Sequence, residues 1–207
     1  MIVKDHFLTG ERFEIKKVSD GVLTTLPKIN TKDLRSYYDS KNYHSHKSSK
    51  SLLSMFYDVS SRFMVWRKVK LTSRFSKNKK SILDFGCGRG GFLMSAKKAG
   101  FEVCGVDVIT AAHKELEAKN IKVYNKLESL SSPVNTITFW HSLEHINDVN
   151  QTLMSCRKFL KDKGILIVAV PNHDSFDAKH YKSFWAAYDV PRHRFHFNKK
   201  GVLKTVQ

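Results

Sequence analysis

Four glycines fall within six positions in the segment Asp84-Phe-Gly86-Cys87-Gly88-Arg-Gly90-Gly91-Phe92. The segment follows the apolar run 82–85 and precedes a stretch of helical length. Without a Cβ the backbone can turn sharply and a ligand can approach it closely, so this loop is expected to cradle a nucleotide-like cofactor. Gly86, Gly88 and Gly91 also satisfy G-x-G-x-x-G, which admits a dinucleotide. Roughly 20 residues further on, a second apolar run ends at Asp107, whose carboxylate can accept hydrogen bonds from both ribose hydroxyls of an adenosine. Asp84 separates the readings. A carboxylate just before the first glycine repels a pyrophosphate but suits the ammonium end of S-adenosylmethionine, so charge favours the methyl donor.

Two further segments carry reactive side chains: His141-Ser-Leu-Glu144-His145, and Trp185-Ala-Ala-Tyr-Asp189-Val-Pro191-Arg192-His193-Arg-Phe-His196. Methyl transfer is an in-line displacement, and much of its catalysis comes from holding the acceptor against the methyl group in a dry, aligned pocket. A hydroxyl acceptor is helped by a general base, and histidine titrates in the right range. His193 and His141 both qualify, and His193 also reads as a loop anchor bonded to backbone. His141 to His145 spells H-x-x-E-H, a zinc motif when it lies on a helix. Here His141 ends a run of β-branched and aromatic residues, which is a strand. Cys87, Cys104 and Cys156 form no C-x-x-C pair, so no thiolate zinc site or disulfide framework is written, and no metal is expected.

Positioning these groups requires strands and helices in alternation. Apolar runs at 82–85, 103–106, 121–124, 134–140 and 165–170 are separated by helical stretches at 91–98, 111–119 and 149–160. That spacing predicts βαβ units, hence an α/β fold with a parallel sheet covered by helices. Residues 1–50 are polar, broken by Gly10, Gly21 and Pro27, and read as an N-terminal, partly helical appendage. In 51–80 the residues Leu52, Phe56, Val59, Phe63, Trp66 and Val69 recur every three or four positions, predicting an amphipathic helix that buries them and turns its basic residues to water, followed by a linker. Residues 81–207 form the cofactor domain.

The chain has 36 Lys and Arg against 19 Asp and Glu, a net charge of +17. Eight basic and no acidic residues lie from Arg62 to Lys80, a field suited to an anionic partner such as nucleic acid, a lipid surface or an acidic glycan, or simply a solvated helix face. No apolar run approaches the ~18 residues of a membrane span. With no signal-peptide core at Met1 and cysteines suited to a reducing compartment, a cytoplasmic protein is expected.

The segment from Ile82 to Gly90 resembles motif I of the class I S-adenosylmethionine-dependent methyltransferases, and Asp107 falls where that family has its ribose-binding acid. Residues 137–146 are similar to the W-H-x-L-E-H-V segment of the small-molecule branch called type 11 or type 23, and Gly164 to Asn172 matches a further landmark. The likeness runs over roughly 81–200 and implies a Rossmann-like, doubly wound sheet of order 3-2-1-4-5. It implies that Asp84, Gly86, Cys87, Gly88 and Phe92 surround the methionine part, and that Asp107 and Val108 meet ribose and adenine. Leu127 or Glu128 would lie near the adenine, and His141 would border the methionine part and the acceptor. Asn135 departs from the family's usual Asp at a position read as structural.

The Asp189-to-His193 segment is similar to the D-x-P-R-H of type 23 members, implying a loop over the active site. Ubiquinone O-methyltransferases, also similar, carry E-x-x-E-H and bind magnesium; with His141 in place of the first Glu, affinity for that oxygen-seeking ion falls. The type 23 N-terminal region carries half of a zinc ribbon, and here Val18-Ser-Asp-Gly21 stands in its place without cysteine. Tyr38, Tyr43 and His46 would pack on the core or close over the cofactor. Strands six and seven of the family's sheet find no counterpart, so the fifth strand is expected to be an open edge available for self-association. The expected acceptor is a small molecule or glycan. Without an N-P-P-Y or D-P-P-Y segment, RNA is the alternative, carried by the basic helix.

Overall fold

The computed structural model describes residues 1–37, 52–76, 80–108 and 113–207, with the side chains of 31, 32, 35 and 52–57 outside that description. Strands β1 (Ile2–Lys4), β2 (Arg12–Ser19) and β3 (Val22–Leu26) come first, then helices α1 (Thr31–Leu34) and α2 (Leu52–Phe75). An alternating stretch follows: β4 (Ser81–Phe85), α3 (Gly91–Lys98), β5 (Glu102–Val106), α4 (His113–Glu117), β6 (Lys122–Tyr124), β7 (Val134–Trp140), α5 (Val149–Phe159) and β8 (Leu160–Ala169). Helix α6 (Phe176–Tyr181), β9 (Phe195–Phe197) and α7 (Lys199–Thr205) close the chain. Tyr38, Tyr43 and His46 lie outside the described residues. Contacts divide the chain into two units, one of residues 49–142 and 150–169, the other of 1–48, 143–149 and 170–207. These units interleave in sequence, whereas composition suggested the consecutive segments 1–50, 51–80 and 81–207.

The first unit is a five-stranded parallel sheet of order β6-β5-β4-β7-β8. Numbered within the sheet this is 3-2-1-4-5, as the resemblance implied, and its order reverses between β4 and β7. Ile82, Leu83 and Asp84 of the central β4 are all buried, so both faces of that strand are covered, as a parallel strand requires. One side of the core joins Ile82 with Leu93 and Ala96 of α3, Leu116 of α4, and Ile121 and Val123 around β6. Helix α3 ends with Phe101 N–H bonded to Ala96 O and with Gly100 at φ +88°, a left-handed stop that favours glycine. Asn135 holds the start of the sheet: its Oδ1 accepts from Ser81 Oγ at 2.8 Å, and its N–H donates to Ser81 Oγ at 3.0 Å. Among the described residues β8 pairs with β7 alone and is an edge.

The second unit holds an antiparallel sheet of order β1-β2-β3-β9. Of the residues read as a polar, partly helical appendage, Ile2–Lys4, Arg12–Ser19 and Val22–Leu26 are thus strand. In β2, Phe13 and Ile15 are buried between the exposed Arg12, Glu14 and Lys16, a period-two pattern that a high charge content hides. The fourth strand of this sheet comes from Phe195–Phe197, more than 160 residues away, and pairs Val22 with Phe197. Val3, Phe13, Ile15, Leu34, Tyr37, Tyr188 and Val190 make its core.

Helix α2 forms where expected, but its orientation is corrected. Val59, Phe63 and Trp66, predicted to be buried, are 60%, 53% and 53% exposed. Val65, Lys68 and Val69 are half-buried and Thr72 is fully buried, so these residues face the unit. Ser76 and Thr136 bond through their hydroxyls at 2.8 Å, tying the end of the helix to β7. The inner face is short and partly polar, which a count of bulky apolar residues overlooks.

Candidate functional site

The glycine loop leaves the C-terminal end of β4 beside the ends of β5 and β7, at the point where the strand order reverses, the usual ligand-binding place of open α/β sheets. Gly86 N–H donates to Val106 O at 2.7 Å, so the loop continues the sheet for one more residue. Gly86 takes φ +74°, and a Cβ there would stand 2.4 Å from Ser142 Cβ. Gly88, at φ +50°, is different: a Cβ there would meet nothing within 4 Å. One glycine permits close packing, the other borders open space. Gly88 N–H donates to Asp107 Oδ2 at 2.7 Å, fixing the loop to the acid that ends β5.

Asp84 is buried behind the loop, and its Oδ1 accepts from Thr138 Oγ1 at 2.7 Å. Burial pushes its carboxyl up to about 7, assisted by the nearby Asp107 charge and opposed by the Thr138 bond and the Lys68 ammonium. Lys68, half-buried on the inner face of α2, stands 5.3 Å from the Trp140 ring centroid. Burial lowers its own affinity for a proton, and Asp84 partly restores it. This cationic neighbour of Asp84 escaped the sequence reading because it sits within a run of basic residues of which Arg62, Arg67, Lys70 and Arg74 are exposed.

The remaining expected residues are spread along the same strand ends. Phe92 is buried, edge-on to Trp140 at 5.6 Å. Cys87 is buried, and its Sγ would stand 2.5 Å from a Cβ at Gly105. Burial raises the Cys87 thiol to about 12, with Asp107 and Asp84 adding to the effect, so it is a packing group and not a nucleophile. Val108 is 74% exposed, Leu127 is buried and Glu128 exposed. His141 is exposed at the end of β7, with φ +59° and its N–H bonded to Ala169 O at 2.9 Å. The buried Trp140 Nε1–H has no hydrogen-bond partner among the described residues.

His193 belongs to the other unit. The turn Leu143–His145 is zipped to residues 192–194: Arg194 N–H donates to Glu144 O at 2.8 Å, and His145 Nδ1 lies 3.0 Å from Arg192 O. His193 Nδ1 lies 2.9 Å from Ala187 O, so it carries the proton and leaves the lone pair on Nε2. That Nε2 faces Asp189 Oδ2 at 3.8 Å and Glu144 Oε1 at 4.0 Å. Burial lowers the His193 pKa, the His145 ring adds to this, and the two carboxylates oppose it. One ligand atom each from Glu144, His145 and His193 lie within 4.8 Å of one another, a set of one oxygen and two nitrogens better suited to a transition ion than to magnesium.

Beneath this cluster runs a feature the sequence concealed. Arg192 is fully buried, with Nη2 at 2.9 Å from Asp5 Oδ1 and 2.7 Å from Asp189 Oδ1, while Nη1 donates to Tyr37 O. The D-x-P-R-H segment is therefore anchored to the N-terminal strands through its arginine. Only the pairing of residues far apart in sequence reveals this.

Residues 59–203 match the model of a family of methyltransferase domains, type 23. An uncharacterized protein of Methanocaldococcus jannaschii is 30% identical over 149 residues, 70% of this chain and 63% of that protein. A ubiquinone biosynthesis O-methyltransferase of Actinobacillus pleuropneumoniae is 30% identical over 108 residues, 45% of this chain and 46% of its own length. The chain thus spans less than two thirds of these curated relatives. The crystal structure of a SAM-dependent methyltransferase from Archaeoglobus fulgidus superposes with a TM-score of 0.58 at 25% identity, covering 70% of this chain and 66% of that one. The chain belongs to the class I S-adenosylmethionine-dependent methyltransferases, in the type 11/type 23 branch. S-adenosylmethionine is the cofactor of that class, and the loop suits it: Gly88 borders free space, an acid stands at each strand end, and Trp140 offers an unused N–H.

Proposed function

We propose that this chain binds S-adenosylmethionine at the β4–α3 loop and methylates an oxygen of a small molecule or glycan. The observation that carries the reading is the docking of Gly88 N–H on Asp107 with Asp84 buried behind it, which supports one carboxylate as partner of a ribose and the other as partner of a cationic amine. Asp107 holds the ribose in this reading, with Val108 and Leu127 or Glu128 beside the adenine. Gly86, Cys87, Gly88 and Phe92 line the methionine part, and His141 borders it. Ionised Asp84 attracts the ammonium group. When bound, the sulfonium supplies a methyl group activated for in-line displacement. An oxygen acceptor is supported by the relative named as an O-methyltransferase.

His141 and His193 are the two candidate bases in this reading. For His193 the proton is held at Nδ1 by Ala187 O, and its lowered pKa keeps Nε2 unprotonated at neutral pH. Glu144 and Asp189 would stabilise its imidazolium. Transfer of labelled methyl from S-adenosylmethionine should be assayed on phenols, sugars and RNA. Label on a phenol or sugar, with His193→Asn or His141→Asn lowering kcat and removing the acid limb of its pH profile, is expected. Label on RNA alone, or an unchanged profile in both variants, would contradict the reading.

A further inference from the structure

The outer face of α2 is the part of the molecule whose composition the cofactor site does not explain. Val59, Phe63 and Trp66 recur at helical spacing and are 60%, 53% and 53% exposed, and Met64, Leu71 and Phe75 are exposed beside them. Arg62, Arg67, Lys70 and Arg74 share this surface. The two kinds of side chain are interleaved: the Phe63 and Trp66 rings stack at 5.7 Å, Arg67 lies 6.0 Å from the Phe63 centroid, Lys70 4.9 Å from that of Trp66, and Arg74 5.9 Å from that of Phe75. A face that served only to solvate the helix would not hold six large apolar side chains in water, where each one removed from it gains about 1.5–3 kcal/mol.

We propose that the outer face of α2 docks on an anionic lipid surface, with Phe63 and Trp66 entering the headgroup boundary and Arg62, Arg67, Lys70 and Arg74 bound to lipid phosphates. Charge selects the class of partner. From Arg62 to Lys80 the sequence holds eight basic residues and no acidic one, so the partner is anionic. A second copy of this chain does not fit, because its net charge of +17 would set cations against cations. The apolar chemistry then favours lipid over nucleic acid. Phe63 and Trp66 could stack on bases, but Val59, Met64 and Leu71 have neither a π-face nor a hydrogen-bonding group, and only an apolar phase rewards their burial. Helix α2 is 24 residues long, and its exposed apolar and basic side chains intermingle along one face. None of the described helices is long and apolar enough to cross a membrane.

The test is flotation of the 207-residue chain with vesicles of phosphatidylcholine alone or containing phosphatidylglycerol. The expected result is binding to the anionic vesicles only, weakened by salt, with Phe63→Ser/Trp66→Ser and Arg67→Gln/Lys70→Gln/Arg74→Gln each losing at least about tenfold in partitioning. Because all five side chains are exposed, both variants should keep the wild-type melting curve, which separates loss of docking from loss of fold. The proposal is overturned by no binding to anionic vesicles, by equal binding to both vesicle types, or by unchanged partitioning of the Phe63/Trp66 variant. Binding to poly(U) with a steep salt slope and no vesicle flotation would also overturn it and assign the face to nucleic acid.

Discussion

At the scale of single residues, Asp84 makes the sharpest demand. Its folded pKa of about 7 lies above the usual 3.8, so the ionised form is disfavoured by folding. The associated stability is complete below pH 3.8 and is lost as pH rises through about 7. Asp84→Asn should therefore raise the melting temperature at pH 8 while weakening S-adenosylmethionine binding, since an amide no longer attracts the ammonium group. Calorimetric melts and titrations at pH 6 and pH 8 would show both effects. Lys68→Met removes the cation that holds Asp84 down and should shift the pH midpoint of cofactor binding upward. Asp84, Asp107 and the glycines were legible because their chemistry is local: a loop and two strand ends within 24 residues. Lys68 and Arg192 were not, because what singles them out is burial beside an acid from another part of the chain.

At the scale of elements, the glycine loop separates a close-packed glycine from one that borders open space. Gly86→Ala would drive a Cβ to 2.4 Å from Ser142 and should lower the melting temperature markedly. Gly88→Ala meets nothing within 4 Å, so it should lose only the left-handed preference, about 1–2 kcal/mol, yet weaken cofactor binding because the new methyl enters the free space. Thermal shift with and without S-adenosylhomocysteine distinguishes the two. The strands and helices of the parallel sheet were readable from alternating apolar runs, since the central strands β4 and β7 are largely buried on both faces. Helix α2 was readable as a helix but not in its orientation: spacing names a stripe and cannot say whether that stripe meets protein or an outside partner. The N-terminal sheet was missed because its alternation is short and its last strand, β9, arrives from the far end of the chain.

At the scale of the molecule, one unit carries the glycine loop and the other a buried ionic knot of Asp5, Asp189 and Arg192. Burial alone would raise the Asp5 carboxyl, but the Arg192 bond and the N–H groups of Thr9 and Phe7 carry it below its usual value. His196, bonded to Thr25 Oγ1, is driven by burial down to about 3. The signs agree. A depressed histidine stabilises the fold above its unfolded value of 6.5 and loses that contribution as pH falls toward 3, and Asp5 adds a further loss below 3.8. Urea melts should therefore weaken progressively below pH 6.5. Asp5→Ala, which leaves a buried guanidinium with one partner fewer, should cost about 3–5 kcal/mol at pH 7.

The account rests on the β4–α3 loop and Asp107 together forming the S-adenosylmethionine site. Isothermal titration of S-adenosylhomocysteine into the wild-type chain and into Asp107→Ala tests this most directly. One-to-one binding to the wild type, weakened about tenfold or more (about 1.4 kcal/mol per tenfold) in the variant with an unchanged melting curve, is the predicted result. No binding to the folded wild type, or equal affinity in Asp107→Ala, would contradict it.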